Sequence, residues 1–156
     1  MQVSLREITS DTVRAVTKLA VHPAQQGFVA PNAVSLAQAL FSSEAWYRAV
    51  VVDEELAGFV MLADESLRPD PPAAPRIGLW RLMIDARFQR RGVGREVIRL
   101  VVAHVRSRPG IESFYTSWVA APGGPEPFYL GLGFEPNGEM DDDEVVAVYP
   151  LHRPDV

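Results

Sequence analysis

The stretch LWRLMIDARFQRRGVGREVI, residues 79–98, joins an apolar, strand-like run to a charged loop with two closely spaced glycines and then to the start of a helix. Residues 79–84 are apolar except for Arg81, and apolar residues recur at helical spacing after Gly94. Glycines between a strand and a helix let successive backbone N–H groups approach a phosphate, and the helix N-terminus adds partial positive charge. The stretch therefore predicts a pyrophosphate-binding turn at residues 89–95, which we call the cradle.

The residues that follow the glycines exclude two common nucleotide-binding motifs. A Walker loop ends in Gly-Lys-Ser/Thr, but Gly94 is followed here by Arg95 and Glu96. A dinucleotide fingerprint has a third glycine three residues after Gly94, where this chain has Val97. Because Gly-x-Gly after a strand is also common in ordinary turns, the rest of the chain must decide what the cradle binds.

Two segments resemble motifs of the GNAT family of N-acetyltransferases. QRRGVG, residues 89–94, is similar to the coenzyme A signature of that family, Gln/Arg-x-x-Gly-x-Gly/Ala. FYLGLGF, residues 128–134, is similar to its second motif, Phe/Leu-Tyr-x-x-Leu-Gly-Phe, which lies on a short helix. Two motifs in this order and separation are more specific than either motif alone. The alternative for the second segment is a helix whose aromatic residues only pack on the sheet.

A narrower resemblance is to bacterial GNAT members described as spermine/spermidine or diamine acetyltransferases. It lies in FVAPN at residues 28–32 ahead of a Ser-x-Ala-x-Ala helix, in LWRLMID at residues 79–85, and in PGGP at residues 122–125 ahead of Phe-Tyr. This resemblance implies that the acetyl acceptor is a primary amine of a small molecule, with a polyamine as one candidate.

Alternation and helical periodicity predict most of the strands and helices, and their order is that of the GNAT fold. The resemblance implies an α/β (α+β) fold in one domain, residues 1–156, with the order β-α-α-β-β-β-α-β-α-β-β. The sheet is expected to be mixed, mostly antiparallel and twisted, with about seven strands and about four helices. Local signals predict a helix cap at Ser35, a hairpin turn at residues 53–55 and a turn at residues 136–138.

Composition limits the classes of function. The chain has 156 residues, of which 47% are apolar, and a net charge of -5, so we expect a folded protein without nucleic-acid partners. It has no cysteine, no membrane-spanning apolar run and no leader-like amino terminus, so we expect a cytoplasmic protein without membrane partners. No metal is expected, because His22, His104 and His152 lack metal-like spacing. Dimers are frequent in the family, so a homodimer is a further expectation.

The family resemblance also implies a set of contacts with acetyl-CoA. The acetyl-bearing arm would lie along the backbone of the central strand at Leu82, Met83 and Ile84. Gln89 would hydrogen-bond the pyrophosphate from the side, and Phe128 would lie nearby. The backbone amides expected to bind the pyrophosphate are those of Arg90, Arg91, Gly92, Val93, Gly94 and Arg95.

Direct attack in a ternary complex needs a proton donor and a proton acceptor. Tyr129 matches the usual family donor to the departing thiolate. A protonated aliphatic amine has a pKa of about 10.4, so freeing its lone pair at pH 7 costs roughly 4–5 kcal/mol before chemistry starts. The group that takes this proton is left open among Asp85, Glu126, Glu55, Glu139 and Asp141.

The family resemblance implies that the first two helices and their connection form one wall of the acceptor cleft, with Gln26, Phe28 and Asn32 as candidate contacts there and Trp80 as a further one. Two positions depart from the family pattern, since Pro122 replaces an asparagine and Leu130 replaces a basic residue, which leaves open whether the coenzyme contacts there are kept. A protein or peptide amine is the alternative acceptor. A non-catalytic acyl-CoA-binding sensor is the alternative outside the enzyme class.

Overall fold

The computed structural model describes residues 1–152, and residues 153–156 of the predicted domain lie outside the described part. Seven strands form a sheet, with the bounds β1 Val3–Arg6, β2 Ala45–Val52, β3 Glu55–Asp64, β4 Ile77–Ile84, β5 Phe114–Val119, β6 Glu135–Asp141 and β7 Glu144–Tyr149. Their order across the sheet is β1-β2-β3-β4-β5-β7-β6. All neighbours are antiparallel except β4 and β5, which are parallel.

Within residues 1–152 there are four α-helices, α1 Val13–Lys18, α2 Asn32–Ala39, α3 Val93–Ser107 and α4 Glu126–Gly131. Short 3₁₀ helices lie in the connections at Pro23–Phe28, Glu65–Leu67 and Ala86–Phe88. The order of strands and α-helices and the mostly antiparallel sheet confirm the predicted fold. In the part of the chain that the structure describes, no helix has the length and apolar character needed to cross a membrane.

The two faces of the sheet carry separate apolar clusters. On one face the apolar stripe of α3 packs with Val60 and Trp118, and on the other face α1 and α2 pack with Phe59 and Met61. Alternate residues of a strand point to opposite faces, so β3 contributes to both clusters. Each fully buried side chain of this size stabilises the fold by about 1.5–3 kcal/mol relative to an exposed one. Burial on both faces therefore holds the sheet between two layers of helices.

The two turn predictions have different outcomes. The predicted β2–β3 turn is confirmed, because Asp53 and Glu54 have φ values of 46° and 69°, the left-handed backbone of a two-residue hairpin turn. The turn predicted at residues 136–138 is wrong, since these residues lie within β6, where Gly138 has a φ of 85° and the pairing with β7 shifts register. The chain reverses instead at Asp142, which has a φ of 52°.

The connection between α1 and α2 also differs from the prediction. α2 begins at Asn32 directly after Pro31, whose φ of −56° and ψ of 146° place it at the N-cap, so the cap predicted at Ser35 is wrong. A proline fixes φ and lacks a backbone N–H, and both properties suit a helix start. Ser35 lies one turn into the helix and is buried. The preceding segment forms the Pro23–Phe28 helix, with His22 as its cap.

β4 and β5 diverge soon after they begin. They pair in parallel only near their starts, and the last such pair joins Gly78 to Tyr115. β4 also bulges against β3 at Trp80, because the consecutive residues Met61 and Leu62 lie opposite residues that are two apart. From Trp80 onward the edge of β4 that faces β5 is therefore not paired with it, and a gap opens in the sheet.

Gly58 of β3 lies where β4 approaches most closely. A Cβ atom added to Gly58 would lie 2.4 Å from the backbone carbonyl oxygen of Met83, which cannot rotate away. We expect Gly58→Ala to lower the free energy of unfolding by about 1–3 kcal/mol, measured by denaturant titration. The control is Gly131→Ala, because that helical position is open and alanine there should raise stability by up to about 1 kcal/mol. Wild-type stability in Gly58→Ala would contradict the close approach.

Candidate active site

Two adjoining cavities occupy the gap between β4 and β5. The larger, with a volume of about 510 Å³, lies at the cradle, and the smaller, of about 390 Å³, lies between residues 26–31 and the two diverging strands. Both cavities are lined by Phe28, Val29, Leu82, Pro125 and Tyr129, which we call the shared wall. A molecule bound in one cavity therefore lies next to a molecule bound in the other.

The cradle leads into α3 through left-handed backbone. Gly92 is the N-cap of α3 with a φ of 80°, and Arg90 has a φ of 62°. The backbone N–H of Glu96 donates to the carbonyl of Gly92 at 3.1 Å, so residues 93–95, which line the larger cavity, begin the helix without helical acceptors for their N–H groups. An anion in this position meets free N–H groups and the positive end of a 15-residue helix.

Phe128 of α4 packs against the start of α3. A Cβ atom added to Gly94 would lie 3.0 Å from the ring of Phe128, so the missing side chain lets the ring lie on the first turn of the helix. Phe128 also contacts Tyr129 edge to face, with 5.1 Å between ring centroids. The two motifs recognised in the sequence therefore meet at this contact, and Phe128 forms part of the larger cavity.

Tyr129 lies where the cavities meet. Its ring packs between Trp118 and Phe134, with centroid distances of 5.6 and 5.5 Å, and its hydroxyl is hydrogen-bonded to Thr116. Burial raises the pKa of Tyr129 to about 12, although the Thr116 hydrogen bond acts in the opposite direction. The phenol is therefore neutral at physiological pH and able to donate its proton. Because this pKa is raised, the contribution of the neutral phenol to stability is complete below pH about 10 and is lost as pH rises through about 12.

The smaller cavity is lined by one carboxylate and one guanidinium. Glu144 begins β7, and its Oε1 lies 3.5 Å from the hydroxyl of Ser117. Arg81 of β4 donates to the carbonyl of Trp80 at 3.0 Å and to Oε1 of Gln38 at 3.1 Å. Burial lowers the pKa of Arg81, while the charge of Glu144 acts to raise it. The cavity thus has a cation on the β4 side and an anion on the β7 side.

The profile of the acetyltransferase (GNAT) family matches residues 28–134, a range that contains the cradle, the shared wall and Tyr129. The chain belongs to the GNAT family. It is an acetyl-CoA-dependent N-acetyltransferase, so acetyl-CoA is its cosubstrate and its reaction is acyl transfer to an amine.

Proteins similar to this acetyltransferase share its fold over nearly the whole chain. The spermine/spermidine N(1)-acetyltransferase of Bacillus subtilis is 25% identical over 154 residues, which are 97% of this chain and 100% of that protein. The PaiA N-acetyltransferase from Thermoplasma acidophilum, solved with coenzyme A, has a TM-score of 0.69 at 14% identity over 96% of this chain and 99% of its own. The N-acetylglutamate synthase from Neisseria gonorrhoeae, solved with coenzyme A and N-acetyl-glutamate, has a TM-score of 0.69 at 17% identity over 98% of this chain, which spans 36% of that enzyme.

The residues of the larger cavity fit a phosphate-bearing coenzyme, because they combine free N–H groups with the guanidinium groups of Arg90 and Arg95. Arg91 does not line the cavity, and its guanidinium lies 5.7 Å from the centre of the Phe88 ring. Neither Pro122 nor Leu130 lines the cavity. The other predicted coenzyme contacts all line it, namely Leu82, Met83, Ile84, Gln89, Arg90, Gly92, Val93, Gly94, Arg95 and Phe128.

Three of the four predicted acceptor contacts, Gln26, Phe28 and Trp80, line the smaller cavity. Asn32 lines neither cavity, since its side chain is only 2% exposed and its Nδ2 donates to the carbonyl of Val16 at 2.9 Å. The same Nδ2 lies 3.5 Å from Sδ of Met83. Asn32 therefore joins α2 to α1 and β4 within the core, and we do not retain it as an acceptor contact.

The acids left open as proton acceptors lie outside both cavities. Asp85 accepts a hydrogen bond from the backbone N–H of Ala20 at 3.0 Å, and Glu126 accepts one from Nε1 of Trp118 at 2.7 Å. Of the described residues that line the cavities, Glu144 is the one carboxylate. The remaining three acids are exposed, namely Glu55, Glu139 and Asp141.

Sequence reasoning missed Arg81 and Glu144 as cavity residues. Arg81 had a visible signal, because a charge inside an apolar strand needs a partner or a polar cavity. Glu144 had none, since it follows a run of exposed acids and differs from them only in its place on β7. Within residues 1–152 no group of three or more His, Cys, Asp or Glu side chains is arranged to hold a metal ion.

Gly92 offers a test of the cradle. Nothing lies within 4 Å of a Cβ atom built on Gly92, so a side chain there extends into open space at the turn. Asparagine adopts positive φ more readily than other side chains, so Gly92→Asn should fold and block the anion site. We expect the affinity for coenzyme A, measured by calorimetry, to fall by about tenfold or more, as for loss of a charge-assisted hydrogen bond.

The matched control is Gly138→Asn, because Gly138 also has a positive φ, of 85°, and open space around its Cβ position, but lies in β6. This variant should bind coenzyme A like the wild type. If Gly92→Asn and Gly138→Asn bound coenzyme A equally well, the cradle would be assigned to the wrong residues.

Proposed function

We propose that this acetyltransferase transfers acetyl from acetyl-CoA to a primary amine of a small cationic molecule by direct attack in a ternary complex. The observation that carries the proposal is that two cavities of different charge meet at Tyr129. The cradle provides N–H groups and arginines for a phosphate, and the smaller cavity provides a carboxylate for an ammonium group. Holding the amine beside the thioester supplies much of the rate acceleration of a reaction between two molecules.

A polyamine is the acceptor that we propose first. Support comes from the 25% identical spermine/spermidine N(1)-acetyltransferase and from the position of Glu144 in the smaller cavity. The net charge of -5 also favours a cationic partner. A peptide or protein amine is the alternative acceptor. Self-association and a cytoplasmic location stay predictions.

Glu144 is the proposed binding group for the ammonium and the first acceptor of its proton. The guanidinium of Arg81 lines the same cavity. Transfer of one proton from the ammonium to this carboxylate, directly or through water, leaves a neutral amine with a free lone pair. That nitrogen then attacks the carbonyl carbon of the acetyl group.

Tyr129 is the proposed acid for the departing sulfur. As the C–N bond forms and the C–S bond breaks, the phenol O–H donates its proton to the thiolate, and the proton that the nitrogen loses restores the phenol. β4 is not paired with β5 beyond Gly78, and an N–H of this stretch that faces the gap would stabilise charge on the carbonyl oxygen. The products are the N-acetyl amine, free coenzyme A thiol and one proton.

The proposal is tested by measuring thiol release from acetyl-CoA with spermine, spermidine, diamines, aminoglycosides, amino acids and lysine peptides. The chain has no cysteine, so it adds no thiol background. We expect release with polyamines above the control without amine. Release only with peptides would identify a peptide or protein amine, and not a polyamine, as the acceptor. Calorimetric binding of acetyl-CoA without release for any amine would favour the acyl-CoA sensor.

Tyr129→Phe should lower kcat by about a hundredfold, because it removes the acid while keeping the aromatic packing. The dissociation constant for coenzyme A should stay within a factor of about two, since the hydroxyl is bonded to Thr116 rather than to the cradle. Tyr115→Phe is the control, because that tyrosine lines neither cavity. An unchanged kcat in Tyr129→Phe would remove the proposed acid.

Glu144→Gln should lower kcat/KM for the amine by about 10- to 100-fold, because a charge-assisted hydrogen bond contributes about 1.5–3 kcal/mol. Coenzyme A affinity should not change, since Glu144 does not line the larger cavity. Asp143→Asn removes a charge from the adjacent exposed position and should have little effect. Equal losses in both variants would mean that general attraction of the amine, and not Glu144, accounts for the effect.

A further inference from the structure

The side-chain amides of Gln25 and Gln89 are joined by two hydrogen bonds. Nε2 of Gln89 donates to Oε1 of Gln25 at 2.8 Å, and Nε2 of Gln25 donates to Oε1 of Gln89 at 3.1 Å. We call this pair the amide bridge. Each partner is also bonded to backbone, since Gln89 donates to the carbonyl of Ile84 at 2.9 Å and Gln25 accepts from the N–H of His22 at 3.2 Å.

The bridge connects the two halves of the site. Gln89 is the first residue of the cradle, and its second bond reaches the last residue of β4. Gln25 belongs to the Pro23–Phe28 helix, which ends at the shared wall with Phe28 lining both cavities. Gln25 and Gln89 lie 64 positions apart in the chain and both line the larger cavity, and the link from Gln25 to the smaller cavity runs along the helix to Phe28.

The Pro23–Phe28 helix has few contacts with distant parts of the chain besides this bridge. None of its residues is buried, and its half-buried Phe28 packs against Gly124. Its backbone hydrogen bonds and its cap join it only to adjacent residues, such as the bond from the N–H of Gln25 to the carbonyl of His22. Among the described residues, the side-chain hydrogen bonds from this helix to distant parts of the chain are those of the amide bridge.

Gln89 is not free to act as the pyrophosphate ligand that the sequence motif suggests. Its Oε1 accepts from Gln25, and its Nε2 donates to both Gln25 and Ile84. Both donor hydrogens of the Gln89 amide are therefore in use, and none is left for a phosphate oxygen.

We propose that Gln25 is a positioning residue that couples occupancy of the cradle to the position of the shared wall. A pyrophosphate bound to the cradle amides fixes the backbone at Gln89. Through the bridge this also fixes Gln25, and Phe28 and Val29 are then held in position to contact the amine. Coenzyme binding should therefore strengthen amine binding. The inference rests on the proposed function for the identity of the two ligands, but its main test uses coenzyme A alone.

The test compares wild type with Gln25→Met, in which a side chain of similar length lacks both amide groups. Amide hydrogen exchange is followed over residues 22–29 and over residues 90–96, with and without saturating coenzyme A. In the wild type, coenzyme A should slow exchange in both segments. In Gln25→Met the slowing at residues 90–96 should persist, while that at residues 22–29 should fall by about fivefold or more, a typical size for coupling between sites.

Calorimetry and a second variant distinguish an effect of the bridge from direct binding of coenzyme A by Gln25. The affinity of Gln25→Met for coenzyme A should stay within about threefold of wild type, and KM for the best amine should rise by about fivefold or more. Gln89→Met should also lower the slowing at residues 22–29, and adding Gln25→Met to it should cause little further loss there, because the bridge is already broken. Gln2→Met, on the exposed start of the chain and outside both cavities, is the control.

Three results would overturn the inference. Coenzyme A that leaves residues 22–29 unprotected in the wild type would show that the cradle is not coupled to the wall. Equal protection of these residues in wild type and Gln25→Met would show that the bridge does not carry the coupling. A loss of coenzyme A affinity of tenfold or more in Gln25→Met would make Gln25 a direct ligand. Absence of amine turnover with the expected exchange pattern would reject the proposed function and leave the bridge intact.

Discussion

The divergence of β4 from β5 is the constraint on which the rest of the structure depends. Pairing between these strands stops at Gly78. Two ligands can therefore contact each other through the gap instead of being separated by the sheet. A sheet with such a gap needs support on each side. The separate apolar clusters supply it above and below, and the close backbone approach at Gly58 keeps β4 firmly against β3. The gap is therefore a built feature of a well-packed sheet.

Charge is distributed unevenly along this gap. Arg90, Arg95 and the α3 N-terminus make the cradle end positive, the neutral phenol of Tyr129 lies in the middle, and Glu144 lies at the other end together with Arg81. Among the described residues that line the gap, a cationic acceptor meets a carboxylate only in the smaller cavity. Electrostatic complementarity of this kind favours correct orientation more than raw affinity. Keeping the central group neutral avoids a charge that would attract either ligand to the wrong end.

The element order, the cradle and the place of Tyr129 could be predicted because each depends on a short pattern of glycines, aromatics or apolar spacing. The helix start at Pro31 was missed because a serine with good capping chemistry lay four residues later, and tertiary burial of Ser35 decided against it. Asn32, Glu144 and the amide bridge could not be assigned, because their roles come from contacts between distant segments. A single sequence shows no local pattern for a hydrogen bond that spans 64 positions.

The shared wall divides the site into two kinds of position. Phe28, Val29 and Tyr129 belong to both cavities, so a change in side-chain size there alters selectivity for the amine and affinity for the coenzyme together. Trp80 and Ser117 line the smaller cavity alone. Substitutions at Trp80 or Ser117 can therefore adapt the site to a new acceptor, by sequence drift or laboratory evolution, without weakening donor binding. Substitutions in the shared wall require compensating changes on both sides of the gap.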